Sequence, residues 1–440
     1  MGVTGRGMVN RNQPSTAEST DRRTFLKASG AMGAAGLAGL AGCLDGFDDT
    51  PEDRDVFRFG AVTSLSGDLR FGGTITERGY DLWEQAVNEN GGIEIDGTSY
   101  EVEVEYADAQ SEPSTGADAA EQMIDSGVDA LFGPYSSNVT LAVAPIAERE
   151  GLPHITGSAE SPDIWKEQYR YTFGTIPAGN VIAGDAAESI FNFDPAPETV
   201  CITGVNDPFT SDVAEALRET AEANGIEVLY YELFPRDADW TSPVSVAKNE
   251  DPDLHFHAAH IEAHVDFLTA AKDLDYNPDA FFSHYGVDTE SFAEGLGDDA
   301  AHTLGATVWL PRLDLPGDIL FDGPQDYADA SEAAFDVTPD YTQAGSTAAG
   351  IVYQEALQEL GAAPPLLDDE KDELIDILEN IEVQTFYGEV DFETEGDLYH
   401  SNTAADILTI QRSTDGFDIV APDTQMESEP EYPVPEWGAR

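Results

Sequence analysis

The chain has 440 residues, with 86 Asp and Glu against 20 Lys and Arg, a formal net charge of −66 and a hydrophobic share of 41%. That length sets two or three domains with ample cores, and so sparse a basic complement excludes nucleic acid as a partner, because nothing would neutralise phosphates. The acids run the whole length, so a solvated tail does not account for them. They fit a surface adapted to molar salt, where the Debye length is ~3 Å and like charges are screened; the plainer alternative is a merely acidic surface.

Met1 to Thr20 is polar and unpatterned. Asp21-Arg22-Arg23-Thr24-Phe25-Leu26-Lys27 and the Ala/Gly-rich run Ala28–Gly42 follow. Together they resemble a twin-arginine export signal, and the run is too short and glycine-rich to span a bilayer. It ends in Leu40-Ala41-Gly42-Cys43, similar to a lipobox, which implies that Cys43 is the lipidated first residue of the mature chain. An uncleaved N-terminal anchor is the alternative. Two acyl chains on such a cysteine suffice for stable attachment, with the acidic stretch after it as a tether. The only other cysteine, Cys201, lies in an apolar strand and reads as a buried small hydrophobe.

From Phe57 the pattern alternates. A strand at Phe57–Thr63 turns through Ser64-Leu65-Ser66-Gly67 into a helix from near Thr74 that Asn90-Gly91-Gly92 ends. A hydroxyl- and glycine-bearing loop before a helix start is a ready anion cradle. Strands follow at Tyr100–Ala107, Asp129–Phe132, Leu152–Thr156 and Tyr169–Phe173, with helices at Thr115–Ser126 and Asn138–Arg149. After Ile176-Pro177-Ala178-Gly179-Asn180 a second set begins. Its helices are Val181–Phe193, Asp212–Asn224, Trp240–Lys248, Ile261–Leu274 and Thr289–Glu294; its strands are Thr199–Thr203, Ile226–Tyr231, Leu254–His257 and Ala280–Ser283. Such βα alternation implies parallel sheets covered on both faces, here an α/β chain of two doubly wound lobes. A Pro-rich crossing from Trp309 to Gly317 leads to helices at Gln325–Phe335, Gln343–Leu360 and Asp369–Asn380, the second with one apolar face for a sheet. Short strands around Phe386–Phe392 and Thr403–Arg412 close the pattern, and the Pro- and Glu-rich tail after Val420 reads as a loose surface strap.

Four stretches then carry a resemblance. They are Gly60–Gly97; Leu131-Phe132-Gly133-Pro134-Tyr135-Ser136-Ser137 running on to Ala147; Gly151-Leu152-Pro153-His154-Ile155-Thr156 running on to Pro162; and Phe386–Phe392 with Glu395–Leu398. In this order they resemble the type I periplasmic solute-binding proteins of ABC importers, in the branched-chain amino acid and amide (Leu/Ile/Val-binding protein-like) group. With the charge and the signal, the chain is similar to a lipoprotein of a halophilic archaeon. The resemblance implies two Rossmann-like lobes joined by a hinge of three crossings, with ligand in the cleft. The expected division is 1–42 signal, 43–54 tether, 55–174 with 306–385 first lobe, 175–305 with 386–420 second lobe, and 421–440 strap.

By position in the family's motifs, Ser137, with neighbours Tyr135 and Ser136, would hold the ligand's polar head at a helix start. Ala159 and Glu160 match positions that bind the ammonium and carboxylate of amino acids. Glu160 departs from the usual hydroxyl there; it would favour a cationic or amide N–H group, or be a plain solvated acid. Ser66 and Phe71 would line the first-lobe rim, Phe71 as a lid. Phe209, His260 and Tyr285 would face the cleft from the second lobe, with Asp288 and Glu262 as nearby acids. An acid expected close to Tyr285 in leucine-type binders is missing, which argues against leucine-type ligands.

His255, His257, His260 and His264 could suggest a metal, with His260 and His264 on one helical face. The first two point to the sides of a strand, so the set reads as packing and cleft histidines. No nucleophile–base–orienter set supports a hydrolase, no cofactor motif is present, and no fused signalling domain supports a sensor. The expectation is a non-catalytic, monomeric receptor at the extracellular face of the membrane. It would be anchored through Cys43 and would pass a small amino acid- or amide-like solute to ABC permease subunits.

Overall fold

The computed structural model describes residues 54–439, so the expected signal, Cys43 and the tether up to residue 53 lie outside the described residues. The first lobe begins β1 (Val56–Thr63), α1 (Arg70–Glu89), β2 (Ile93–Ile95), β3 (Thr98–Asp108), α2 (Pro113–Asp125) and β4 (Ala130–Phe132). It continues α3 (Ser137–Glu150), β5 (His154–Thr156), α4 (Pro162–Lys166) and β6 (Thr172–Gly174). The strands lie in the order β2-β3-β1-β4-β5-β6, parallel except for β2, which forms a hairpin with β3. Val62, Phe132 and Ile155 are fully buried, as expected of parallel strands covered by helices.

The second lobe runs α5 (Gly179–Phe191), β7 (Thr199–Val205), α6 (Pro208–Ala223), β8 (Glu227–Phe234), α7 (Thr241–Glu250) and β9 (Leu254–Ala258). Then come α8 (Ile261–Asp273), β10 (Ala280–His284), α9 (Glu290–Leu296) and β11 (Leu304–Thr307). The chain next forms α10 (Pro324–Phe335), α11 (Tyr341–Leu360), α12 (Asp368–Leu378) and the hairpin β12 (Glu382–Thr385) and β13 (Gly388–Asp391). Finally β14 (Leu408–Arg412) and β15 (Phe417–Ala421) add antiparallel edges to the second sheet, ordered β15-β14-β11-β10-β9-β7-β8. Cys201 is fully buried within β7.

Several elements differ from the sequence expectation. Helix α1 starts at Arg70, not Thr74, despite two glycines in its first turn. Close approach explains them: a Cβ on Gly72 would sit 1.9 Å from the Tyr135 ring, and one on Gly73 1.9 Å from the Ser64 carbonyl oxygen. Packing here overrides propensity. Strand β6 lies three residues beyond the expected Tyr169 start, because Tyr171 turns outward to Arg170 and Asp372. Helix α11 has no single apolar face, since residues 341–354 are all buried. It lies against α1, where a Cβ on Gly79 would meet the Gln343 carbonyl oxygen at 2.5 Å and Thr347 Oγ1 donates to the Gly79 carbonyl at 2.7 Å.

The last crossing falls later than residue 386. Phe386 stacks on Tyr327 of α10 at 4.0 Å and its carbonyl accepts from Trp309 Nε1. Phe392 and His400 both pack on Phe173 of β6, and Ser401 bridges Gly174 in parallel. Residues 386–402 therefore pack beside the first sheet, and the chain reaches the second only at β14. The tail is no loose strap either. Val434 N–H donates to the Asp279 carbonyl and the Trp437 indole N–H to the Tyr276 carbonyl at 2.7 Å, with Trp437 buried. Among the described residues no helix is long and apolar enough to cross a membrane.

Candidate functional site

In open parallel sheets the loops after the strands' carboxyl ends collect functional side chains. The loops after β4 and β5 bring Tyr135, Ser137, Ser158 and Glu160 to one point; those after β7, β9 and β10 bring Phe209, His260 and Tyr285; the first turn of α11 adds Thr342. These eight line one cavity. It contains about 250 Å³ of empty space, of which only about 10 Å³ can hold the centre of a water molecule. That is room for roughly one water, so the two walls are in near contact.

Contacts across the cavity are polar. Tyr135 O–H donates to the Tyr285 oxygen at 3.1 Å, and His260 Nδ1 lies 3.4 Å from the Tyr135 hydroxyl. His260 Nε2 is 3.5 Å from Asp207 Oδ2, which also accepts from Arg236 Nη2 at 2.8 Å. Burial pushes Asp207 up, but the His260 contact, the Thr210 N–H and Arg236 outweigh it and hold the carboxyl well below the usual range. Beside the cavity, Ser161 Oγ donates to Asp212 Oδ2 at 2.5 Å, and Gly179 N–H to the Glu160 carbonyl at 2.8 Å.

Ser137 opens α3. Its oxygen accepts from the N–H groups of Glu160 at 3.2 Å and Ser161 at 3.1 Å. A serine oxygen has two lone pairs; with both engaged, its proton is what remains to offer. Glu160 is 4% exposed, which overturns the solvated-acid alternative. Its Oε1 accepts from Tyr341 O–H at 2.9 Å, and its Oε2 lies 3.4 Å from His284 Nε2. Phe209 is buried with its ring 5.4 Å from His260 and 5.9 Å from His284.

Four expected site residues stand elsewhere. Ser66 is spent on the protein's own carboxylate: its hydroxyl donates to Asp108 Oδ2 at 2.6 Å, while the N–H groups of Leu65 and Ser66 donate to Asp108 Oδ1. Burial pushes Asp108 up, yet these bonds and that from Gln110 N–H hold it below the usual range. The expected anion cradle is thus occupied by Asp108. Phe71 is half-buried against the main core and lines no part of the cavity. Ser136 is the N-cap of α3, its carbonyl accepting from Thr140 N–H at 2.9 Å. Ala159 turns into an apolar cluster with Ile164, Trp165 and Ala178.

Sequence reasoning missed Ser158, Thr342, Tyr341, His284 and Asp207. Asp207 was signalled as the N-cap before Pro208, accepting from Thr210 N–H, and Asp340 likewise caps the helix that carries Tyr341 and Thr342. Glu262 is exposed. The histidines diverge. His255 bonds Thr203 and Tyr276, His257 faces His264 at 2.8 Å in the interior, and His260, ahead of α8, alone reaches the cleft. His260 and His264 do not share a working face. Among the described residues no three His, Cys, Asp or Glu side chains gather to hold a metal ion.

Two α/β lobes that meet over a polar cavity at the carboxyl ends of their strands define a two-lobed cleft protein. The chain belongs to the periplasmic binding protein family, whose description matches residues 56–412. It is 25% identical over 251 residues to "Leu/Ile/Val-binding protein homolog 8" of Brucella abortus, an alignment covering 55% of this chain and 61% of that protein. The chain thus spans less than two thirds of the length of that relative. A Leu/Ile/Val-binding protein of Rhizobium johnstonii is 25% identical over 77% of this chain and 88% of its own. The fold is that of the branched-chain amino acid transporter substrate binding protein LivJ of Streptococcus pneumoniae, solved with isoleucine. Its TM-score is 0.71 at 19% identity, with 83% of this chain and all of that one covered.

Proposed function

We propose that this protein is a solute-binding receptor that closes its two lobes over a small polar solute of the amino acid or amide type and delivers it to the membrane subunits of an ABC importer. The observation that carries the reading is the cavity itself. Its lining comes from both lobes, and the Tyr135–Tyr285 hydrogen bond spans it. A solute held there would touch both walls and favour the closed arrangement, the requirement for hinge closure. The similarity to Leu/Ile/Val-binding proteins supports an amino acid-type solute. The family and the absence of a nucleophile–base–orienter arrangement in the sequence support a receptor that does not alter its ligand. Thermal-shift and calorimetric screening of amino acids, amides and urea in high salt tests it. At least one solute should raise the melting midpoint and be recovered unaltered. Ser137→Ala should weaken that binding by about 1.5–3 kcal/mol, the worth of a hydrogen bond to a charged group. Turnover of the solute, or an unchanged isotherm in the variant, counts against the reading.

The sequence at Arg22-Arg23 and at Leu40–Cys43 supports export by the twin-arginine route and a lipid anchor at Cys43, with the receptor held at the outer face of the membrane. Cys43→Ser should release the protein into the medium or block its processing. A normally sized variant that still sediments with membranes would refute the anchor.

A further inference from the structure

We infer that Glu160 selects the charge of the solute: the cavity takes a head group that carries a positive charge and at least two N–H donors, and rejects one that presents a carboxylate at that point. This rests on the receptor reading above and narrows it to a ligand class. Glu160 is the one acidic side chain lining the cavity, and it is 4% exposed. A carboxylate has about four lone-pair positions, and the contacts on Glu160 use one at each oxygen: Tyr341 O–H and His284 Nε2. Each oxygen therefore retains a free acceptor direction, the fork that a planar pair of N–H groups fills.

Neither partner is a Lys or Arg. Tyr341 is a neutral donor. His284 is fully buried, with its Nε2 3.4 Å from Oε2. No Lys or Arg lines the cavity, and Arg236 is bound to Asp207 together with His260. Burying a carboxylate is costly unless it is well paired and hydrogen-bonded, and a cationic solute would fill the two open acceptor directions with charge-assisted bonds. The aromatic lining, Tyr135, Phe209 and Tyr285, adds ring faces that attract a cation. A solute carboxylate beside Glu160 would meet a second negative charge in a site with little water to screen it.

The test compares small probes on the mature protein in molar salt: the near-isosteric pair methylguanidine and methylurea, then methylammonium and acetate, with the amino acid and amide panel alongside. The two cations should bind at least tenfold more tightly than methylurea, and acetate should give no shift. Glu160→Gln should abolish that preference, bringing methylguanidine and methylurea to within about threefold of each other. The comparison of methylguanidine with methylurea on the unaltered protein needs no variant, so misfolding of Glu160→Gln leaves the inference decidable. Equal binding of methylurea and methylguanidine, or binding of acetate, overturns the selection by charge and leaves the receptor reading standing. No response to any solute in the panel overturns both.

Discussion

At Asp288 both carboxylate oxygens, and at Asp340 one, are shut away from water. Asp288 follows Tyr285 by three residues, and Asp340 caps α11 just before Tyr341 and Thr342, so the two flank the cavity from different elements. Burial pushes Asp288 up to about 6, and burial with the charge of Asp288 pushes Asp340 up to about 7. The Thr307 hydroxyl, the Asp288 backbone N–H and Arg412 act on Asp288 in the opposite direction. Because the folded values exceed the ordinary 3.8, folding takes up protons between about pH 4 and pH 7. Their contribution to stability is therefore greatest below that window and is lost as pH rises through it. Asp288→Asn should be more stable than the unaltered protein at about pH 8 by ~1–3 kcal/mol, and should lose less stability between about pH 5 and pH 8. Denaturant melts across that range in molar salt check it; parallel curves for the two proteins would mean that Asp288 is compensated. Residue by residue, what the sequence made legible was the wall whose motifs are contiguous. Tyr135, Ser137 and Glu160 stand beside Gly and Pro landmarks after strand ends. Tyr341 and His284 were hidden because each meets Glu160 from a distant part of the chain, 181 and 124 residues away.

Secondary-structure elements were readable wherever burial imposes a period on the sequence. The alternation of apolar strands with amphipathic helices recovers β1, β3, β7 and β9 and most of the helices between them. The errors have one cause: the local signal was outvoted by a distant contact. Helix α1 keeps its first turn because Tyr135 and Ser64 press on Gly72 and Gly73. Helix α11 loses its polar face because the element is enclosed, with Tyr353 O–H reaching the Leu131 carbonyl and Ser346 O–H the Thr342 carbonyl. The hairpin of β12 and β13 has only its own ladder as sheet pairing, so its alternation says strand but not where. Its place is set by Phe386 on Tyr327 and by Phe392 on Phe173. The loop after β1 misled for the same reason. Its free N–H groups did signal an acceptor, but the acceptor is Asp108, supplied by the end of β3.

Across the whole molecule the shortage of cations shapes how charge is handled. Arg149 is shared by Glu121 and Glu150, Arg170 by Asp372 and Asp376, and Arg218 by Glu215 and Glu222. Exposed pairs of this kind contribute ~0–1 kcal/mol each, too little to offset an excess of 66 negative charges over the chain. On β3 the exposed or half-buried Glu101, Glu103 and Glu105 project from one strand with only Arg58 against the last two, and the first turn of α12 carries Asp368, Asp369 and Glu370. Such surfaces repel themselves unless mobile ions screen them, and we propose that the fold depends on molar salt for that reason. At ~1 M the Debye length of ~3 Å isolates neighbouring carboxylates, whereas at ~0.1 M it grows to ~10 Å and whole faces act together. Dialysis from molar salt to about 0.1 M should therefore cost the mature protein its cooperative melt, with the loss followed by far-UV circular dichroism. Returning the salt before aggregation should restore it. A neutral crowding agent at equal osmolality should not substitute, since it leaves the charges unscreened. A cooperative melt at an unshifted midpoint in dilute buffer would show that packing alone outweighs the repulsion, and the acidic surface would then need another explanation.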